Sequence, residues 1–446
     1  MPGSCLAVNT GPEADAGPSD SQRGARDGGS GLRRDVGLTL FALYGAGNII
    51  GAGIYVLVGK VAGEAGLLTP LAFLIAAAVA GLTGLSYGEL GARYPVSAGE
   101  AVYLQRAFNR RWLSMATGFL IALAGLVSAA TMARGFVGYL NEFLAVPAAL
   151  VIVIFVSLLT LIAIRGIAES AFVAALLTLV EAGGLLWIIS VAAPNFGGLA
   201  ELSLAEFSMA EFSRAEIAAA DFTSAGALPQ AGAVWQGVFA AAFLAFFAFI
   251  GFEDMVSIAE EVREPERNMP RGILLAFAIS TVLYLLVSVA AIATLPIDTL
   301  AASDAPLADV YRAATGRSVA FISLIGLIAV VNGALIQIIK AARVFYGMSS
   351  NGWLPAFFGV VNPRTRTPLR STLVAGGIVL VFALALPLVS LAKTTSAMVL
   401  LVFILVNLAL ITIKRSGPPP EGVRAMPMWV PVLGALASAL ILLAAF

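Results

Sequence analysis

Two short stretches hold the residues best suited to chemistry. The first is Gly45-Ala46-Gly47-Asn48-Ile49-Ile50-Gly51-Ala52-Gly53, with four glycines in nine residues. Glycine disfavours a helix by roughly 1 kcal/mol relative to alanine, so the spacing predicts an interruption. The second is Phe246-Phe247-Ala248-Phe249-Ile250-Gly251-Phe252-Glu253-Asp254, where a glycine and two acids sit in an apolar run. Where a helix breaks, the N–H groups that open the next half-helix lose their internal partners, and the dipole there favours an anion. The carbonyls that close the preceding half suit an ammonium group, and glycines let a ligand approach the main chain. A zwitterion such as an amino acid carries both groups. A third candidate is Glu181, an isolated acid in LLTLVEAGGLLW. Ionisable groups inside a membrane are costly and therefore functional candidates; Glu181 is either a proton carrier or a neutral acid hydrogen-bonded to a neighbouring helix.

Other chemistries are excluded. Gly45-x-Gly47-x-x-x-Gly51 imitates a dinucleotide loop but lies within an apolar segment, not between a strand and a helix. Tight helix packing would account for the first glycine cluster but not for Glu253 and Asp254. The chain has no His and a single Cys, Cys5, which removes histidine bases, His/Cys zinc sites and internal disulfides. No metal, cofactor or enzymatic nucleophile–base constellation is expected. Lys+Arg and Asp+Glu balance at 26 each, which gives no case for nucleic acid.

The elements that must position these residues follow from composition. Of 446 residues, 60% are apolar and 12% charged, and the mean hydropathy is +0.95. A soluble chain is nearer half apolar and a quarter charged, so this one belongs in a lipid bilayer. Eleven hydrophobic segments fall near 36–58, 68–92, 112–140, 147–164, 168–193, 232–257, 271–296, 318–347, 371–390, 394–413 and 428–446. Main-chain groups in lipid must be satisfied within each segment, which predicts helices. Nineteen Lys and Arg fall on the side of the N-terminal tail and six on the other, with Lys340 inside a segment. The positive-inside bias places the N-terminus in the cytoplasm and, after eleven spans, the C-terminus outside, in the plasma membrane.

Residues 1–34 are polar and glycine-rich and are expected to form a disordered tail, with the transporting domain over 35–446. Segments one to five (35–193) and six to ten (232–413) form two halves. An odd number of spans per half makes the second an inverted copy of the first, and a pair of interrupted helices in matching places is a pointer to a transport site. The external connection 194–231 contains five pentads from Glu201 (ELSLA, EFSMA, EFSRA, EIAAA, DFTSA), read as a mobile acidic loop or as a lid or docking element. The segment 428–446 is an additional helix.

Specific text then carries a resemblance. IIGAGIYVLVG (49–59), YGELGARYPVSAGEAVYL (87–104), FFAFIGFEDMVSIAEEVREPERNMPRGI (246–273) and ARVFYGMSSNGWLPAFFGVVNPRTRTP (342–368) resemble the amino acid–polyamine–organocation superfamily. Within it they are similar to prokaryotic amino acid permeases and cationic amino acid transporters. The resemblance implies an all-α membrane protein with a leucine-transporter-like five-plus-five inverted repeat, helices one and six broken. It implies carboxylate contacts from Ile49, Gly51, Ala52 and Gly53, and amino-group or side-chain contacts from Phe247, Ala248 and Ile250. Glu253 matches the family's acidic position after the sixth-helix break. In some proton-coupled relatives a Lys occupies the region of Glu181, so that carry-over is of position and not of residue.

The expected function is secondary amino acid transport by alternating access, coupled to a proton, with neutral or broad-range substrates. Cationic substrates, or exchange without net ion coupling, are the alternatives. A non-transporting sensor is the reading from another class. Sodium has weaker support because the eighth segment lacks mid-span Ser or Thr, although Asn332 and Gln337 offer amide oxygens. Lys340 is expected to run toward the cytoplasmic end. Arg134 reads as an interfacial anchor or gate, and Glu89–Arg93 as an i,i+4 ion pair.

Overall fold

Glycine at two places decides the path of the central helices. The computed structural model describes residues 34–96, 99–165, 171–197, 230–350, 352, 354–365 and 367–444. The pentads and the tail before Arg34 lie outside these residues. The first span runs as α1 (Leu38–Ile50), stops at Gly51 and resumes as α2 (Ala52–Ala65). Then come α3 (Thr69–Arg93), a connecting helix α4 (Gly99–Phe108), α5 (Arg111–Asn141), α6 (Ala148–Arg165) and α7 (Ala171–Ala192). The sixth span opens as α8 (Gln230–Ala245), tightens into a 3-10 turn at Phe246–Phe249, bends at Ile250–Gly251 and continues as a 3-10 helix over Phe252–Glu261. The order ends with α9 (Pro265–Thr294), two short helices α10 (Ile297–Ala302) and α11 (Pro306–Thr315), α12 (Ala320–Ser350), α13 (Leu369–Ala385), α14 (Leu388–Ser416) and α15 (Trp429–Leu443).

Among the described residues, eight helical stretches are long and apolar enough to cross a membrane, and three shorter apolar helices (α1, α13 and α15) complete the set. Each of the eleven expected segments holds a helix, with altered ends. The first continues to Ala65, and the seventh starts at Pro265, before its apolar run, because proline suits the first turn of a helix. The 31-residue helices α5 and α12 are about 46 Å long at 1.5 Å per residue, so they overrun a ~30 Å hydrocarbon layer.

Burial sorts centre from periphery. Two-thirds (67%) of the apolar window of the sixth span is buried, against 39% for α6. Leu158 and Leu161 on α6, Leu179 and Leu186 on α7, and Leu440 on α15 face outward. Tyr55, Tyr87, Tyr139 and Tyr284 are completely enclosed. Apolar groups outside and hydroxyls inside is the arrangement that lipid as solvent requires.

Polar contacts fasten the ends. Val36 N–H donates to Glu261 C=O at 3.0 Å and Arg263 N–H to Val36 C=O at 2.9 Å, so the chain entering the first span is tied to the exit of the sixth. Arg134 on α5 donates from Nε to the Ala383 carbonyl (2.6 Å) and from a terminal nitrogen to that of Leu384 (3.1 Å). It therefore satisfies carbonyls left open at the end of α13, which is a more specific task than anchoring in the interface.

Candidate functional site at the paired helix breaks

The two breaks lie against each other, main chain to main chain. Gly251 has φ +130°, a conformation that side chains of L-residues rarely adopt. A Cβ placed on it would stand 2.2 Å from the Asn48 carbonyl oxygen. On the other side of the contact, a Cβ on Gly53 would stand 2.6 Å from Ala248 Cα. Gly51, with φ −29° and ψ −154°, takes the chain out of helix before α2 restarts at Ala52. No side chain caps the start of α2, so its first N–H groups are presented to the space beside the break.

That space is a cavity of about 20 Å³ lined by Gly47, Asn48, Ile49, Gly51, Gly53 and Phe247, with Ile250, Asp254, Ser128, Met132, Asn332 and Gln337 closing it. It has the room of one or two water molecules, so the breaks are shown closed. Of the residues singled out in the sequence, Ile49, Gly51, Gly53, Phe247 and Ile250 share this cavity. Ala248 lies behind Gly53, with its main chain against it. Ala52 is the first residue of α2. Glu253 opens instead onto a second cavity of about 20 Å³, and its carboxylate accepts the Gly251 N–H at 2.8 Å. It thus holds the bend of its own span. The two cavities share Ser128, Ile250 and Gln337 as a common wall.

Glu181 is fully buried on α7 and lines neither cavity. Its main-chain carbonyl accepts the Tyr55 hydroxyl at 2.7 Å. Lys340 does not run to the membrane end. It forms an ion pair with Asp254, whose other oxygen accepts Gln337 Nε2 at 3.3 Å. Attraction to a carboxylate in a low-dielectric interior outweighs the reach toward water that a lone lysine would show.

Sequence reasoning missed the tyrosines. The Tyr284 hydroxyl on α9 lies 2.5 Å from the Ile49 carbonyl and 2.9 Å from that of Ala248. One O–H proton thus serves the last turns of both half-helices, and these carbonyls are not left open to an ammonium group. Tyr139 on α5 donates to the Tyr55 carbonyl at 2.6 Å. The available signal was a phenol in the middle of an apolar run, since a buried Tyr hydroxyl needs a partner. Replacing Tyr284 by Phe is expected to cost about 1–3 kcal/mol, the usual penalty for stranding a buried acceptor. Thermal unfolding of the purified variant checks it, and an unchanged midpoint would refute the bridging role.

The arrangement defines a class: a helical membrane transporter fold with paired discontinuous spans. A solved manganese transporter from Eremococcus coleocola superposes with a TM-score of 0.53 over 91% of this chain and 86% of that one, at 14% identity, a likeness of fold alone. The fold is therefore the leucine-transporter-like five-plus-five arrangement with the first and sixth spans broken. The family model for amino acid permeases matches residues 37–446, and the chain belongs to that family. It is 30% identical over 417 residues to a vacuolar cationic amino acid transporter of Arabidopsis thaliana, covering 89% of this chain and 66% of that protein. It is 28% identical over 427 residues to a branched-chain amino acid permease of Bacillus subtilis, covering 93% and 88%. The chain is an integral membrane protein of a permease family rather than an enzyme.

Proposed function

We propose that the protein is a secondary amino acid transporter that works by alternating access, with a proton as coupling ion and a neutral or broad substrate range. The observation that carries this reading is the cavity walled by the opened main chain of α1–α2 and the bend at Ile250–Gly251. In it, N–H groups at Gly51, Ala52 and Gly53 receive the substrate carboxylate. Ile49 completes the carboxylate contacts, Phe247, Ala248 and Ile250 meet the amino group or side chain, and Glu253 supports the bend from the second cavity. Residues 35–193 and 232–413 are the two inverted halves, 194–231 the external loop and 428–446 an added helix. The basic end, with the N-terminus, faces the cytoplasm across the plasma membrane. Asp254 is already neutralised by Lys340, which favours a neutral substrate side chain over a cationic one. The cationic alternative keeps support from the name of the plant relative.

Closed cavities of about 20 Å³ each are too small for an amino acid, so binding needs one end to open. Glu181 is the proposed proton carrier. Protein in liposomes is expected to accumulate alanine, leucine or arginine faster under an inward proton gradient, and Glu181→Gln to lose that acceleration. Absence of uptake for all standard amino acids would refute the transport reading. Uptake only into vesicles preloaded with amino acid would replace coupling by exchange.

A further inference from the structure

The second cavity has a chemistry of its own. Two buried carboxyl groups line it beside one cation, Lys340: Glu100 from α4 is 9% exposed and Glu253 5%, while Asp254, 4% exposed, reaches that cation from the wall of the first cavity. Lys340 is spent on Asp254. Glu100 and Glu253, which both line the cavity, are held by neutral donors, their own main-chain N–H groups among them. The Tyr87 hydroxyl donates to Glu100 Oε1 at 3.1 Å, and the Gly251 N–H donates to Glu253. The other walls add no titratable side chain. Helix α5 contributes Ile121, Ala124, Gly125 and Ser128, and α14 contributes Thr395, Val399, Val402 and Phe403. Tyr103 on α4 is the remaining phenol beside Glu100. With every acid ionised the cluster would carry two uncompensated negative charges away from water, a cost of several kcal/mol per ion. A second observation points to what relieves it. Gln337 is 7% exposed and its Oε1 has no hydrogen-bond partner. That oxygen lies 2.6 Å from where a Gly125 Cβ would stand, so it faces the cavity wall. Its amide orientation is settled by Nε2, which must donate to Asp254. A free acceptor and two carboxyl groups lining one small space call for a hydrogen donor.

We propose that this cavity is a proton-binding site in which Glu100 and Glu253 hold one proton between them, and that opening of the basic end releases it. The inference rests on the transport reading for its coupling, and it places a protonatable site apart from Glu181. The chemistry is simple association: a proton from water joins one carboxylate, and the resulting O–H donates to the other carboxylate of the cavity or to Gln337 Oε1. The pair joins two parts that must separate when the basic end opens. Glu100 belongs to the connecting helix α4, and Glu253 lies two residues past the Gly251 bend. Water admitted there solvates both carboxylates and takes the proton. Burial itself pushes the Glu100 carboxyl above the ordinary carboxylate range.

The sign of the pH effect follows from linkage. A folded-state carboxyl that keeps its proton after the unfolded one has lost it adds stability below the ordinary carboxylate range. That contribution disappears as pH rises through the folded value. The full-length protein in detergent is therefore expected to melt at progressively lower temperature from mildly acidic toward neutral pH, and Glu100→Gln to flatten this slope. In proteoliposomes given radiolabelled alanine, leucine or arginine, the ratio of uptake with and without an inward proton gradient is expected to fall to unity in Glu100→Gln. Tyr87→Phe removes the hydroxyl that favours ionised Glu100, so its melting profile moves to higher pH. This variant also serves if Glu100→Gln does not fold. An unshifted profile in Tyr87→Phe, or a wild-type profile in Glu100→Gln, overturns the site. A flattened profile with intact gradient stimulation overturns the coupling. No uptake by the wild type overturns the transport reading instead, and the melting profiles still judge the site.

Discussion

Gly251→Ala is expected to abolish uptake and to destabilise the protein. A non-glycine residue forced to an unfavourable positive φ costs of order 1–3 kcal/mol. The added Cβ would also meet the Asn48 carbonyl oxygen at 2.2 Å, and a main-chain atom cannot step aside as a side chain can. The two broken spans would have to part, which separates Gly53 from Ala248 and dismantles the wall of the cavity. Gly118→Ala on α5 and Gly183→Ala on α7 are the controls, since a Cβ at either meets nothing within 4 Å. They are expected to leave melting unchanged or raise it slightly, by up to about 1 kcal/mol from helix propensity. Uptake by Gly251→Ala at the wild-type rate would show that the contact between the breaks is dispensable.

Glu89→Ala is expected to be the most destabilising change at the basic end, by about 3–5 kcal/mol, because removing one member of a buried ion cluster strands the others. The Glu89 carboxylate is completely enclosed. It accepts Arg93 at 2.7 Å, Lys414 Nζ at 2.7 and 2.9 Å, and the Met426 N–H at 2.8 Å. One acid thus joins α3, α14 and the segment leading into α15. In Glu89→Ala two cations lose their counter-charge in a site where both are over nine-tenths buried. Adding Lys414→Met is expected to recover part of the loss, as removing a stranded charge relieves its desolvation. Chemical unfolding of the two variants measures the coupling, and a double variant less stable than Glu89→Ala would contradict it.

Much of this architecture was legible in residue types alone. The glycine clusters at 45–53 and 251 gave the two breaks, since no other residue is so poor in a helix yet so tolerant of close approach. The Glu89–Arg93 pair followed from i,i+4 spacing, whereas its link to Lys414 joins residues 325 apart in the chain. No local pattern carries such a contact. For the same reason the sequence places Lys340 toward water: its partner Asp254 is 86 residues away. Tyr284 holds carbonyls 235 and 36 residues distant; its apolar run signals that the phenol needs a partner but not which one.

The amino-acid sequence by itself determined that the chain lives in lipid, that its spans are helical and that the first and sixth are interrupted. These properties depend on hydrophobicity, main-chain hydrogen bonding and glycine content, all of which act over a turn or two of chain. Tertiary structure alone decided which polar groups meet inside. It put Lys340 on Asp254, turned Glu253 away from the cavity at the breaks and brought Glu100 into the same second cavity. Ionisable groups in a medium of low dielectric settle wherever a partner is found, and only the packing of distant helices supplies one.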